Sequence, residues 1–83
     1  MAAECVLTVY ARTYCHLCDD MIAALQALRG RFSFQICVVD VDSDAALEAR
    51  YGELVPVLEA EGRKLCHYFL DEEVVTDFLA KMR

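Results

Sequence analysis

Long apolar runs are missing from this chain. A bilayer span needs about 20 consecutive apolar residues. Hydrophobic residues make up 58% of the 83, but polar and charged ones interrupt them throughout, so no membrane segment is expected. The start, Met1-Ala2-Ala3-Glu4, lacks the basic flank and apolar stretch of a signal peptide. The apolar run after it reads better as a first strand, so export is not expected and a cytoplasmic protein is. Basic residues are few: eight against fourteen acids, for a net charge of −6, with no Lys/Arg stripe. Nucleic acid is therefore a poor partner, because phosphate contacts need clustered positive charge. There is no internal repeat, linker or low-complexity segment, and residues 1–83 read as one domain with one modest core. The cysteines number five, an odd count that rules out a full set of internal disulfides. A second CxxC and an HxxxH spacing are both absent, and no resident metal is expected.

What is present is one dithiol, Cys15-His16-Leu17-Cys18. It follows the apolar run Cys5-Val6-Leu7-Thr8-Val9-Tyr10 and precedes the helical pattern Met21-Ile22-Ala23-Ala24-Leu25-Gln26-Ala27-Leu28. A cysteine where a strand gives way to a helix meets unpaired backbone N–H groups and the positive end of the helix dipole. Both favour the thiolate, which is the reactive species. In a reducing compartment a CxxC reads as catalytic or metal-binding rather than structural. Cys5 and Cys37 lie inside apolar runs and read as small buried hydrophobes.

The elements follow in order. Cys5 to Tyr10 is a buried strand, and Ala11-Arg12-Thr13-Tyr14 is the loop that delivers the dithiol. A helix runs from His16 to Arg29 with Leu17, Met21, Ala24, Leu25 and Leu28 on its buried stripe. Gly30 is its expected stop, in the left-handed conformation. Phe32 to Val41 is a second strand, apolar enough on both faces to suggest cover on both sides. Ser43 is the expected cap of a short helix, Asp44 to Tyr51, that stops at Gly52. Val57 to Ala60 and Arg63 to Phe69 form a hairpin around Glu61-Gly62. Glu59 and Arg63-Lys64 are expected on a partly wet hairpin edge. The last helix has Asp71 as its cap, Leu70 and Val75 as a hydrophobic staple, and Glu72, Glu73, Lys81 and Arg83 matched to its dipole. Its core face is Val74, Val75, Phe78, Leu79 and Met82. The order β-α-β-α-β-β-α implies an α/β protein: a right-handed βαβ unit with two parallel strands, then a hairpin, in a four-stranded mixed sheet flanked by three helices.

CxxC at the head of the first helix, with Val55-Pro56 about forty residues later at the head of a hairpin, resembles the thioredoxin fold. The stretch Val9 to Cys18, with Arg12 three before the first cysteine, is similar to glutaredoxins. The nearest likeness is to small glutaredoxin-like proteins that share a Cys-His-Leu-Cys motif and a late Cys-His pair, here Cys66-His67. The resemblance covers nearly the whole chain.

It implies a thiol–disulfide oxidoreductase with Cys15 as nucleophile and Cys18 as resolving cysteine. Helical residues three apart have Cβ atoms about 5–6 Å apart, and a disulfide needs roughly 3.5–4.5 Å, so Cys15 must leave regular helix geometry slightly. Arg12 and the helix end are expected to lower the Cys15 pKa. Asp19 and Asp20 oppose this and read as complements to the dipole. His16 either stabilises the thiolate as a cation or faces water, and the pair His16-Leu17 occupies the positions that tune the potential. Pro56 corresponds to a cis-proline facing the dithiol, presenting the Val55 backbone to an extended substrate. Leu54 stands where many glutaredoxins have threonine. Cys66-His67 replaces a Gly-Gly pair that approaches glutathione, which puts glutathione binding in question. Arg12, Tyr14, His16, Leu17, Val55, Pro56, Cys66 and His67 are thus the expected substrate-contacting positions.

The expected substrates are protein disulfides or glutathione mixed disulfides. The expected electron donor is glutathione or a thioredoxin reductase, and a monomer without a bound cofactor is expected. Two alternatives stand beside this: a zinc or iron–sulfur site using Cys15 and Cys18 with Cys66 or His67, and a redox-inert adaptor that keeps only the fold.

Overall fold

A computed structural model describes residues 5–81. Its elements are β1 (Cys5–Ala11), α1 (His16–Leu28), β2 (Phe34–Asp40), α2 (Ala45–Tyr51), β3 (Val57–Ala60), β4 (Arg63–His67) and α3 (Glu72–Lys81), with one 3-10 turn, Val41–Ser43, before α2. The sheet order is β2-β1-β3-β4. β1 and β2 are parallel, and β3 is antiparallel to both β1 and β4. This is the α/β arrangement expected from the element order.

The two faces of the sheet are covered unequally. Leu7, Val9 and Ala11 of β1 share a face with Leu58 and Ala60 of β3 and with Phe34 of β2, because paired residues project to the same side. Against them pack Cys18, Met21, Leu25 and Leu28 of α1 and Val75 and Leu79 of α3. Leu17 and Ala24 flank this stripe half-buried. On the other face a second, smaller cluster forms from Val41, Tyr51 and Val57, joined by Tyr10 and Leu47. The seven-residue α2 is too short to cover the rest of that face.

Local chemistry sets the boundaries. Glu61 (φ 51°) and Gly62 (φ 77°) are both left-handed, the pairing that a two-residue hairpin needs to match strand twist. The Asp71 carboxylate accepts the Val74 N–H at 3.2 Å and caps α3, and Leu70 packs against the main core, of which Val75 is part.

Several expectations are corrected. Gly30 is not left-handed, and Gly62 is the positive-φ glycine among the described residues; α2 does stop at Gly52, whose N–H donates to the Glu48 carbonyl at 2.8 Å. α1 instead closes with i to i+3 bonds, Arg29 N–H to Gln26 O at 3.2 Å and Arg31 N–H to Leu28 O at 2.9 Å, which tighten its last turn. The α2 cap is Asp44, whose carboxylate accepts the Ala46 N–H at 2.8 Å; Ser43 donates to the Asp40 carbonyl inside the 3-10 turn. β2 is shorter than expected, and it is an edge strand with Cys37 and Val38 exposed rather than covered on both sides. Apolar composition on both faces reports β-propensity as much as burial. β4 ends at His67 instead of Phe69, because Tyr68 turns the chain. Val74 is exposed instead of core, while Met82 and Arg83 lie outside the described residues.

Glu59 is also not on an edge: β3 lies between β1 and β4. Its carboxylate is held by two phenols, Tyr51 Oη at 3.0 Å and Tyr10 Oη at 3.2 Å. The two rings stack at 4.4 Å. A carboxylate on the middle of a sheet is thus supplied with donors by its own face. Burial, followed by the hydrogen bond and charge of Glu59, raises the Tyr51 pKa, and burial with the Glu59 charge raises that of Tyr10.

A raised phenol pKa gives stability that is present below the ordinary tyrosine value of about 10 and is lost as pH rises through the folded value. Urea denaturation between pH 8 and 11 should therefore show falling stability at the alkaline end. The fall should be shallower in Tyr51→Phe than in wild type.

Candidate active site

The register gathers the site. Val39 of β2, Tyr10 of β1, Val57 of β3 and His67 of β4 form one row across the sheet near one end. From that end β1 leaves towards Cys15, β3 is entered through Val55-Pro56, and β4 leaves into Tyr68-Phe69. Three segments distant in sequence thus emerge side by side.

Cys15 is the N-cap of α1, with extended backbone (φ −112°, ψ 105°), so it has left helical geometry as the spacing required. Its Cα lies 5.2 Å from that of Cys18, and the two are joined as a disulfide. The Cys15 Sγ accepts the Cys18 backbone N–H at 3.0 Å, the bond that serine or aspartate makes at other helix starts. Cys15 is half-buried and Cys18 is 1% exposed, packed into the main core. The accessible sulfur is therefore the one at the helix end, where N–H donors and the dipole favour negative charge.

Around this pair the expected contact positions divide. Tyr14 is fully exposed, on a left-handed backbone (φ 60°), and His16 is exposed. Leu17 and Val55 are half-buried; the Val55–Pro56 peptide is cis and the Pro56 ring is buried. Cys15 and Val55 both border the main core.

Arg12 is turned to structural use. Its guanidinium donates to Asp42 at 2.9 and 3.2 Å, to Glu48 at 3.1 Å and to the Gly52 carbonyl at 3.2 Å. Two carboxylates thus offset its charge.

Cys66 and His67 end β4, half-buried. They border an open hollow of about 630 Å³ whose rim includes Lys64, Phe69, Asp71 and Glu72. Burial pushes the Cys66 thiol up; the Asp71 backbone N–H opposes this and the Asp71 charge adds to it.

Two residues at the site were not anticipated. Tyr68 has φ 65°, and the Phe69 N–H donates to the His67 carbonyl at 2.7 Å, a tight turn with positive φ that is rare and strained. Tyr68 is held there by its own N–H to the Pro56 carbonyl at 2.9 Å and its hydroxyl to the Glu53 carbonyl at 2.9 Å. Phe69, 69% exposed, is thereby held out into solvent. No sequence signal marks this turn: Tyr-Phe after a strand reads as more strand.

Among the described residues, no three His, Cys, Asp or Glu side chains converge as a metal site. The zinc alternative therefore lacks an assembled third ligand. No helix among them is long and apolar enough to cross a membrane.

The family model for the glutaredoxin-like domain (DUF836) matches residues 6–80. The chain belongs to that glutaredoxin-like family. It is 41% identical to protein Ne2328 from Nitrosomonas europaea, solved by solution NMR, over 95% of each chain with a TM-score of 0.87. It is 39% identical to protein XcR50 from X. campestris, solved by X-ray, over 90% of this chain and 96% of that one, with a TM-score of 0.74. The fold is thioredoxin-like: the germline-specific thioredoxin Deadhead from Drosophila melanogaster superimposes with a TM-score of 0.59 at 23% identity, over 96% of this chain and 82% of that one. No curated protein matches the chain. The Cys15–Cys18 pair of this glutaredoxin-like domain is consistent with a redox function.

Arg12→Ala should lower the thermal midpoint, because it frees α2 from the end of β1. The pH midpoint of Cys15 alkylation in the reduced protein should stay near that of wild type. A large alkaline displacement of that midpoint would show that Arg12 polarises the sulfur.

Proposed function

We propose that this protein is a dithiol thiol–disulfide oxidoreductase, with Cys15 as nucleophile and Cys18 as resolving thiol. The observation that carries this reading is Cys15 at the head of α1, its sulfur accepting the Cys18 N–H and bonded to the Cys18 sulfur. That bond is the oxidised end of the cycle.

In the reduced enzyme the Cys15 thiolate attacks one sulfur of a substrate disulfide. The substrate S–S bond breaks, one substrate thiolate leaves, and a Cys15–substrate mixed disulfide forms. Cys18 then gives up its proton and attacks Cys15 Sγ, expelling the second substrate thiolate and forming Cys15–Cys18. Two electrons pass from the dithiol to the substrate, and the two released thiolates take up protons. Glutathione or a thioredoxin reductase system returns the two electrons. The burial of Cys18 suits a resolving role: it reaches Cys15 and little else.

The substrate strand runs beside Val55 and pairs with its backbone. Protein disulfides suit the site better than glutathione mixed disulfides. The carboxylates of glutathione want nearby cations, yet the Arg12 charge is taken up by Asp42 and Glu48, and the hollow beside Cys66 carries Asp71 and Glu72 against Lys64. A reducing, cytoplasmic setting fits the free thiols Cys5, Cys37 and Cys66.

The test is reduction of insulin and of hydroxyethyl disulfide, each run with glutathione and with thioredoxin reductase. Cys15→Ser should fall to background on both substrates. Cys18→Ser should trap a mixed disulfide with a protein substrate, visible by mass spectrometry and released by dithiothreitol. Wild-type turnover no higher than that of Cys15→Ser would leave a redox-inert adaptor as the reading.

A further inference from the structure

The two edges of the sheet are built differently. The β4 edge has Arg63 and Lys64 exposed and a register shift opposite Leu58/Glu59, features that discourage strand addition. The β2 edge has none of these. Its seven residues, Phe34-Gln35-Ile36-Cys37-Val38-Val39-Asp40, contain no lysine, no proline and no bulge, and their one charge is at the end. Among the described residues the sheet stops there.

We propose that the β2 edge is a self-association surface, and that it pairs with β2 of a second copy in antiparallel register about a two-fold axis. Three features select this occupant. The strand has an odd number of residues with Cys37 at its centre, so full pairing sets Cys37 opposite its own copy and Phe34 opposite Asp40. The same register sets Ile36 against Val38 twice on the face that carries α1, which covers Val38, otherwise 52% exposed. Charge gives the direction: exposed Arg29 precedes the strand, and exposed Asp40 and Asp44 end and follow it, whereas Arg31 is already paired with Glu72 and Asp42 with Arg12 within the chain. Antiparallel pairing brings the basic start of one copy to the acidic end of the other at both ends of the interface. Parallel pairing would bring like charges together.

The expected monomer is thus the dilute form. A seven-residue edge is about 24 Å long, and one strand pair falls at the small end of specific interfaces, so the dimer should populate with rising concentration.

Sedimentation equilibrium under reducing conditions, from micromolar to about 1 mM, should show the mass rising from one towards two copies. Val38→Lys places cations in the apolar pair, and Cys37→Lys sets two cations face to face on the axis. Each should remain monomeric throughout, with far-UV circular dichroism unchanged. Independently of any variant, amide exchange over residues 34–40 of wild type should slow as concentration rises. A wild-type mass that stays at one copy to about 1 mM would overturn the proposal. So would a dimer that both lysine variants retain with residues 34–40 exchanging at the dilute rate.

Discussion

A helix that begins on a sulfur atom has an acceptor whose strength depends on its charge. As a thiol, Cys15 would be a poor cap for the first turn of α1; as a thiolate it would be a strong one. The Cys18 N–H aimed at Cys15 Sγ therefore couples helix start and ionisation state. The same geometry places Cys18 one turn on, with its sulfur within bonding reach and its surroundings inside the core. One sulfur is accessible and electrically favoured, and the other is buried and available only to its neighbour. On the proposed reading, this asymmetry is what would set a nucleophile apart from a resolving thiol.

The sheet supplies what the helix cannot. Tyr10, Val57 and His67 lie in one row, so the Cys15, Val55 and Phe69 segments all leave the sheet at the same end. Around that end the backbone is forced into less favourable conformations. Tyr14 and Tyr68 are both left-handed, at a cost of order 1–3 kcal/mol each. For Tyr68 the restraint is visible in its bonds to Pro56 and Glu53, which tie the end of β4 to the segment entering β3. Arg12 does the corresponding work on the other side, joining the end of β1 to α2 through Asp42, Glu48 and Gly52. The dithiol is thus framed by segments braced from both directions.

Away from the site, the uneven cover of the two faces explains most of the polar chemistry. The face under α1 and α3 is apolar and closed except at β2. The face under the short α2 is half open, and there a carboxylate, two phenols and an arginine over the Tyr51 ring share one patch. Glu59 is tolerated on an interior strand because donors reach it from β1 and α2, not because the strand is wet.

Much of this was legible in the chain. The positions of the strands and helices, the hairpin turn at Glu61-Gly62, the Asp71 cap and the head-of-helix dithiol follow from short-range signals: periodicity, turn chemistry, and a CxxC between a strand pattern and a helix pattern. These are local because a few neighbouring residues determine them. What only the tertiary structure decided depends on which elements become neighbours. The same apolar alternation serves a central strand or an edge strand, so β2 could not be placed from its own residues. An arginine three before a cysteine serves equally to polarise sulfur or to bind carboxylates thirty residues away, and only the packing of α2 shows that Asp42 and Glu48 hold this one. The partners of Glu59, the turn at Tyr68 and the exposure of Phe69 share that origin: each is fixed by a bond to a residue that is distant along the chain and becomes adjacent only once the sheet has closed.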